Sequence, residues 1–260
     1  MTLTPIQIDP SAYPRSLRPL LTDAPLYDSS CSEVARVTYI AKDNGYFLKS
    51  APAGSLYSEA KMTHYFYEIG MAAKVLAYIM GKQDWLLTEK IPGDDCISAK
   101  YLEDPTRLCD TLAEILVRLH CTDPTGCPVN YTKQLLAKAE RNMQSGDYDK
   151  SHFPDSFGYS SEEEAWAVVE AHGHLLQEDT LLHGDYCLPN VILDNWRFSG
   201  FIDLDCAGRG DRHVDLFWVF RSLEYNLKSD KYRWRFIDAY GRDKVCEDML
   251  RVVAAVEVFG

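Results

Sequence analysis

Two kinds of hydrophobic pattern divide this chain. From about residue 28 to residue 91, short apolar runs bounded by turn residues read as a hairpin, a helix and a second hairpin. Cys31-Ser32 is a small-residue turn leading into a strand that ends at Ile40. Lys42-Asp43-Asn44-Gly45 has the composition of a type I′ turn, whose central residues must tolerate positive φ. The return strand Tyr46-Phe47-Leu48-Lys49 closes that hairpin, and a helical stretch from Ser55 to Ile69 follows, with Gly70 as its stop. Lys74 to Met80, the turn Gly81-Lys82-Gln83-Asp84 and Trp85 to Ile91 make the second hairpin. Ahead of all this, Pro5, Pro10, Pro14 and Pro19 mark the first 20 residues as an irregular or short helical lead-in.

Pro92-Gly93-Asp94-Asp95 is the strongest boundary signal, and beyond it the period becomes helical. Leu108, Leu112, Ile115, Leu116 and Leu119 recur on one helical face. Helices are also predicted over 131–145, 161–176, 211–227, 230–240 and 243–259, with Ser161 and Glu164 spaced for a capping box. The predicted fold is α+β and bilobal: a small antiparallel-sheet N-lobe over 1–91, and a mainly helical C-lobe over 92–260.

One helical-domain segment breaks the pattern. Thr180-Leu181-Leu182 is a short apolar strand ending at His183, Val191-Ile192-Leu193 is a second, and Asp194-Asn195 turns the chain back through Phe198 to Ile202. This arrangement spaces Asp185, Asn190 and Asp203 as a carboxylate, an amide five residues on, and a second carboxylate eighteen residues after the first. Such a spacing serves phosphoryl transfer, in which one Asp takes the proton of the attacking hydroxyl while an Asn and a second Asp hold magnesium. Mg²⁺ is a hard cation that keeps several waters and needs few protein oxygens. Upstream, Lys49 ends a strand and Glu59 lies on the following helix, an order that suits the lysine–glutamate pair positioning nucleotide phosphates.

Composition changes the picture little. The 260 residues are 46% hydrophobic and 25% charged, ordinary for a folded soluble chain of one or two domains. A net charge of −12 disfavours nucleic acid as partner and suits a small cationic one. No basic segment precedes an apolar core at the start, and no apolar run is long enough for a bilayer, so a cytoplasmic protein without membrane association is expected. The eight cysteines form no metal-ligand spacing and read as reduced thiols, with Cys187 and Cys206 the two to watch for oxidation.

Residues 183–193, HGDYCLPNVIL, and 198–205, FSGFIDLD, resemble the catalytic and metal-binding segments of the aminoglycoside phosphotransferases, specifically the 3′-phosphotransferase type. Asp211 and Asp215 match the helix that follows in that family. The resemblance spans nearly the whole chain and implies a protein-kinase-like fold, with ATP or GTP in the cleft between lobes and Mg²⁺ as cofactor. It makes Asp185 the catalytic base and Asn190 and Asp203 the metal ligands. Cys31 and Ser32 would cover the phosphates that Lys49 and Glu59 position, Phe47 would stack on the base, and the backbone around Thr88, Lys90 and Ile91 would bond its edge. Asp155, Arg221, Glu224 and Glu257 fall on the substrate side. Asp215 reads as an acceptor for catalytic-loop amides.

Three departures lie on that substrate side. Leu204-Asp205-Cys206 stands where the family usually carries Gly-Arg; Tyr225 replaces an acid; and the C-terminal tail keeps one acid, Glu257, of a usual pair. The function expected is therefore an ATP-dependent O-phosphotransferase that inactivates aminoglycosides at the 3′-hydroxyl, acting as a monomer or weak dimer. Two alternatives stay open: a kinase of another small hydroxylated substrate with the same fold, and a silent nucleotide-binding module.

Overall fold

The computed structural model describes residues 3–31, 34–148 and 158–260. Contacts divide the chain into two compact units, 1–98 with 189–205, and 99–188 with 206–260. The sequence places its boundary at Pro92 and gives the whole of 92–260 to the second lobe. The contacts instead carry residues 189–205 into the first unit, because their hairpin pairs with strand residues 94–95.

The first unit is built on a six-stranded antiparallel sheet. Its strands are β1 (Thr4–Ile6), β2 (Leu26–Asp28), β3 (Arg36–Ile40), β4 (Tyr46–Pro52), β5 (Val75–Ile79) and β6 (Gln83–Glu89), in the order β1-β2-β3-β4-β6-β5. Alternation along β4 decides its two faces. Tyr46 and Leu48 face a cluster with Leu17, Leu21, Leu26, Ile40, Trp85 and Leu87. Lys49 and Ala51 point the other way, where Leu86, Leu56 and Ala60 bring helix α2 (Tyr57–Glu68) onto the sheet. The proline-rich lead-in is thus more ordered than its sequence suggests: α1 (Arg18–Leu21) packs Leu17 and Leu21 beneath the sheet, and β1 extends its edge.

The first hairpin also differs from its reading. Ile40 pairs with Tyr46, so five residues turn the chain rather than two. Asp43 and Gly45 have positive φ (52° and 94°), whereas a type I′ turn over Asp43 and Asn44 needs it at both of these. The two-residue solution appears elsewhere. A second sheet orders β10 (Arg197–Phe201), β9 (Val191–Asp194) and β7 (Asp94–Asp95), and Asn195 and Trp196, with φ of 50° and 67°, make the tight turn between β9 and β10.

The second unit is mainly helical: α3 (Ala99–Leu102), α4 (Pro105–His120), α5 (Tyr131–Ser145), α6 (Glu162–His172), α7 (His213–Leu227), α8 (Lys231–Tyr240) and α9 (Glu247–Glu257). A small ribbon pairs β8 (Thr180–Leu182) with β11 (Gly208–Gly210). Helix α4 starts on Pro105 with the Asp104 carboxylate accepting the Arg107 amide at 3.1 Å, and buries the five expected apolar residues. Ser161 caps α6 by accepting the Glu164 amide at 3.3 Å, but the Glu164 carboxylate returns to the Ser160 amide rather than to Ser161. Helix α9 starts at Glu247 after a 3-10 turn at 242–244, and almost every residue from Leu250 to Glu257 is buried.

Leu48 is 2% exposed, and its removal leaves a cavity directly behind the strand that carries Lys49. Leu48→Ala is expected to cost about 2–5 kcal/mol. Urea unfolding followed by tryptophan fluorescence checks this, since Trp85 belongs to the same cluster; an unchanged midpoint would mean that the cluster does not hold the strand.

Candidate active site

In the first unit, three charged groups meet. The Lys49 ammonium is 2.8 Å from Glu59 Oε2 and 2.9 Å from Asp203 Oδ1. Lys49 reaches them because it lies on the α2-facing side of β4, opposite Leu86 in the ladder. Glu59 is in the first turn of α2. The start of α2 has no side-chain cap of its own. Buried Asp84 on β6 holds it instead, accepting the Leu56 amide at 3.2 Å and the Tyr78 hydroxyl at 2.8 Å. Asp203 follows β10 with φ of 56°, a left-handed turn that leaves its side chain half exposed.

The cluster holds two carboxylates and one ammonium, and its protonation follows from that imbalance. Burial works against the Lys49 charge, but Asp203 and Glu59 hold its pKa above the ordinary lysine value. Burial pushes Glu59 up to about 7, its desolvation and the nearby Asp203 charge outweighing the attraction of Lys49.

Asn190 is buried at the entry to β9, and its carbonyl accepts the Ile202 amide at 3.1 Å. Ile202 bonds the Asn190 backbone carbonyl just beyond the end of the β9–β10 ladder, so Asp203 follows directly on the backbone partner of Asn190. An amide and a carboxylate oxygen are hard donors of the kind Mg²⁺ takes, with its remaining positions left to water and phosphate. Among the described residues no group of three or more His, Cys, Asp or Glu side chains could hold a metal ion.

In the second unit, β8 delivers the loop that carries Asp185. Asp215, fully buried on α7, accepts the His183 amide at 3.0 Å and the Gly184 amide at 2.7 Å. Ser222, two turns along α7, accepts the Leu188 amide at 2.9 Å, so one helix pins both ends of the loop. His183 Nδ1 lies 3.3 Å from the Asp185 amide. Gly184 has φ of 83°, and a Cβ there would lie 1.9 Å from the Cys206 carbonyl oxygen, so no other residue fits. Asp185 itself is half-buried.

The phosphotransferase enzyme family model matches residues 33–253. This chain belongs to that family. The phosphotransferase is 45% identical to a probable aminoglycoside 3′-phosphotransferase of Lactococcus lactis, over 99% of both chains. It is 32% identical to an aminoglycoside 3′-phosphotransferase of Niallia circulans, over 69% of this chain and 68% of the relative. Among solved structures, an aminoglycoside 3′-phosphotransferase of type VIII superposes with a TM-score of 0.73 at 23% identity, covering 99% of this chain and 94% of the other. An aminoglycoside phosphotransferase from Streptomyces rimosus gives 0.78 at 22% identity, covering 97% and 99%. These similarities bear out the family and the kinase-like α+β fold read from the catalytic segments.

The remaining residues expected at the phosphotransferase's site are distributed as follows. Phe47 is half-buried in a row of rings across three strands, 5.2 Å from Tyr39, itself 6.1 Å from Tyr27; Thr88 lies beside Phe47 on the next strand. The Lys90 amide donates to the Gly45 carbonyl at 3.0 Å and the Glu89 amide to the Lys74 carbonyl at 3.0 Å, so neither is open to a base edge. Ile91 is buried beside Gly200. Cys31 is exposed, its thiol 3.7 Å from the Ser29 carbonyl. Ser32 and Asp155 lie outside the described residues. On α7, Arg221 sits over the Phe217 ring at 5.6 Å and Glu224 is exposed three residues on. Burial pushes the Cys187 thiol pKa up, with the Asp185 charge adding to it, which keeps it from the reactive thiolate form that the sequence flagged.

Sequence reading missed Asp84 and Ser222. Asp84 was assigned to a turn, and an acid one position ahead of an apolar strand was its only trace; a serine on a helix gives none.

Glu257 is buried on α9 and accepts the Trp218 indole N–H at 3.2 Å. Burial pushes it up to about 7, the Asp185 charge adding while Trp218 and Lys138 oppose. A carboxyl whose folded pKa is raised contributes its stability below the unfolded value of 4.5 and loses it as pH rises toward 7. Glu257→Gln, which keeps an acceptor for Trp218, is therefore expected to gain on wild type by up to roughly 3 kcal/mol between pH 5 and pH 8. Urea unfolding at both pH values measures this, and a difference independent of pH would mean that Glu257 is charged in the folded enzyme.

Proposed function

We propose that this enzyme transfers the γ-phosphoryl group of ATP, or of GTP, to the 3′-hydroxyl of an aminoglycoside and thereby inactivates the antibiotic. The observation that carries the reading is the Lys49 ammonium seated between Glu59 and Asp203. A strand lysine locked to a helix glutamate and to Asp203 suits a triphosphate, and with Asp185 and Asn190 it makes up a base and metal set that a silent nucleotide-binding module does not need. Full-length similarity to a protein named as a probable aminoglycoside 3′-phosphotransferase supports the acceptor, as does a net charge of −12 for a polycationic substrate.

In this reading Asp185 accepts the proton of the attacking hydroxyl as the new oxygen–phosphorus bond forms and the bond from the γ-phosphorus to the bridging oxygen breaks, releasing ADP. Lys49 fixes the phosphates and Glu59 fixes Lys49. Asn190 and Asp203 would hold Mg²⁺, which supplies positive charge against the phosphate oxygens when bound. Phe47 offers a ring face to the base. Glu224, Glu257 and Asp155 supply carboxylates, and Arg221 a donor group, on the acceptor side. Most of the rate gain comes from placing the hydroxyl and stabilising charge rather than from covalent participation.

Asp185→Ala is expected to lower kcat by about 100- to 10,000-fold while nucleotide binding is kept. ADP release and calorimetric titration with a non-hydrolysable ATP analogue read the two quantities; near wild-type turnover in a clean preparation removes the base assignment. The acceptor is tested with a panel assayed by ADP release. Phosphorylation of kanamycin, with no reaction of an analogue lacking the 3′-hydroxyl, is expected. Equal reaction of both would move the site of transfer, and reaction only with small amino-alcohols would replace the substrate class.

A further inference from the structure

Asp215 does not stand alone behind the catalytic loop. Its Oδ2, which accepts the His183 amide, is also 3.0 Å from Nε2 of His120, the last residue of α4. The other ring nitrogen of His120, Nδ1, is 2.7 Å from the hydroxyl of Tyr240, the last residue of α8. His120 is almost wholly buried, and its imidazole meets the Tyr240 ring edge-on at 5.7 Å. The neighbours fix its tautomer. A carboxylate only accepts, so Nε2 must carry the hydrogen; burial lowers the pKa of His120 and leaves the ring neutral, so Nδ1 accepts from the Tyr240 hydroxyl. Hydrogen bonds thus run donor to acceptor from Tyr240 through His120 to Asp215, the carboxylate that also accepts the His183 and Gly184 amides, two and one residues before Asp185.

We infer that His120 and Tyr240 are positioning residues for phosphoryl transfer, orienting the Asp215 carboxylate that holds the His183–Gly184 backbone and so the side chain of Asp185. Asp215 sits on the first turn of α7, and two loop amides each meet a different one of its oxygens. A third donor on Oδ2, from the His120 ring, adds a further restraint on the carboxylate's orientation. Both side chains are buried and bond the loop only through Asp215, so they act by positioning and not as catalytic groups.

His120→Phe keeps a buried ring and deletes both hydrogen bonds, whereas His120→Gln keeps an amide donor able to reach Asp215. Phe is expected to lower kcat at least fivefold with KM for ATP within twofold, and Gln to recover most of the loss. A folded Phe variant with kcat within fivefold of wild type, or a Gln variant no better than Phe, overturns the inference. If His120→Phe fails to fold, Tyr240→Phe, which removes one oxygen atom, decides: kcat falls at least threefold with KM for ATP unchanged, or the inference is wrong.

The inference rests on the phosphotransferase reading, and amide exchange by NMR separates the two. Exchange at His183 and Gly184 should quicken at least tenfold in the variants while amides in α9 are unaffected. A wild-type protein with no phosphotransfer would sink the proposed function and leave that exchange to judge the positioning; unchanged exchange would sink the positioning alone.

Discussion

A lysine ammonium drawn out of most of its water is tolerated only where acceptors replace the lost hydration. Lys49, on the α2-facing side of a largely apolar strand, meets that condition through carboxylates from two further elements. Glu59 comes from the helix packed on the sheet, and Asp203 from a hairpin more than 150 residues further along the chain. The register of β4 against β6, the seat of α2 on Asp84 and the left-handed turn at Asp203 all serve this junction. Because two acids face a single cation, burial and the Asp203 charge raise the Glu59 pKa to about 7, and a divalent ion at the cluster would favour its ionised form.

The loop that carries Asp185 is held by a different principle. Its residues make no extended ladder, so their backbone groups need partners from outside the loop. Helix α7 supplies these with Asp215 at one end and Ser222 at the other, and the contact of Gly184 with Cys206 fixes the path between. The bonds to α7 lie at the loop's ends and the Cys187 amide donates to the Asp185 carbonyl at 2.7 Å between them, so Asp185 sits in a segment whose backbone has little freedom.

Much of this was legible in the sequence, for reasons that differ by element. The helices of the second unit follow from apolar periodicity and from caps such as Asp104, because those signals are local. The loop and tight hairpin that space Asp185, Asn190 and Asp203 were legible because their strands and turn residues are adjacent in the chain. The role of Asp215 could be read only from its place in the family pattern. What the sequence hid was non-local. Residues 189–205 join the first unit because β9 pairs with two residues at 94–95, too short a strand to be seen. The lead-in folds against the sheet because Leu17 and Leu21 have somewhere to go, although its prolines suggest otherwise. Asp84 and His120 act through partners dozens of positions away, and nothing in their surroundings along the chain announces those partners.

The discontinuity of the first unit has a consequence for the order in which the molecule is made. Synthesis proceeds from the N-terminus, and domains tend to fold as units while the chain emerges. The six-stranded sheet and α2 are complete by residue 89, yet the third member of the Lys49 junction is not translated until Asp203. During the intervening hundred or so residues, the nascent sheet carries Lys49 with Glu59 as its sole partner in that junction. The Lys49 junction is therefore among the last features of the first unit to close, although the strand that bears the lysine precedes Asp203 by 154 residues.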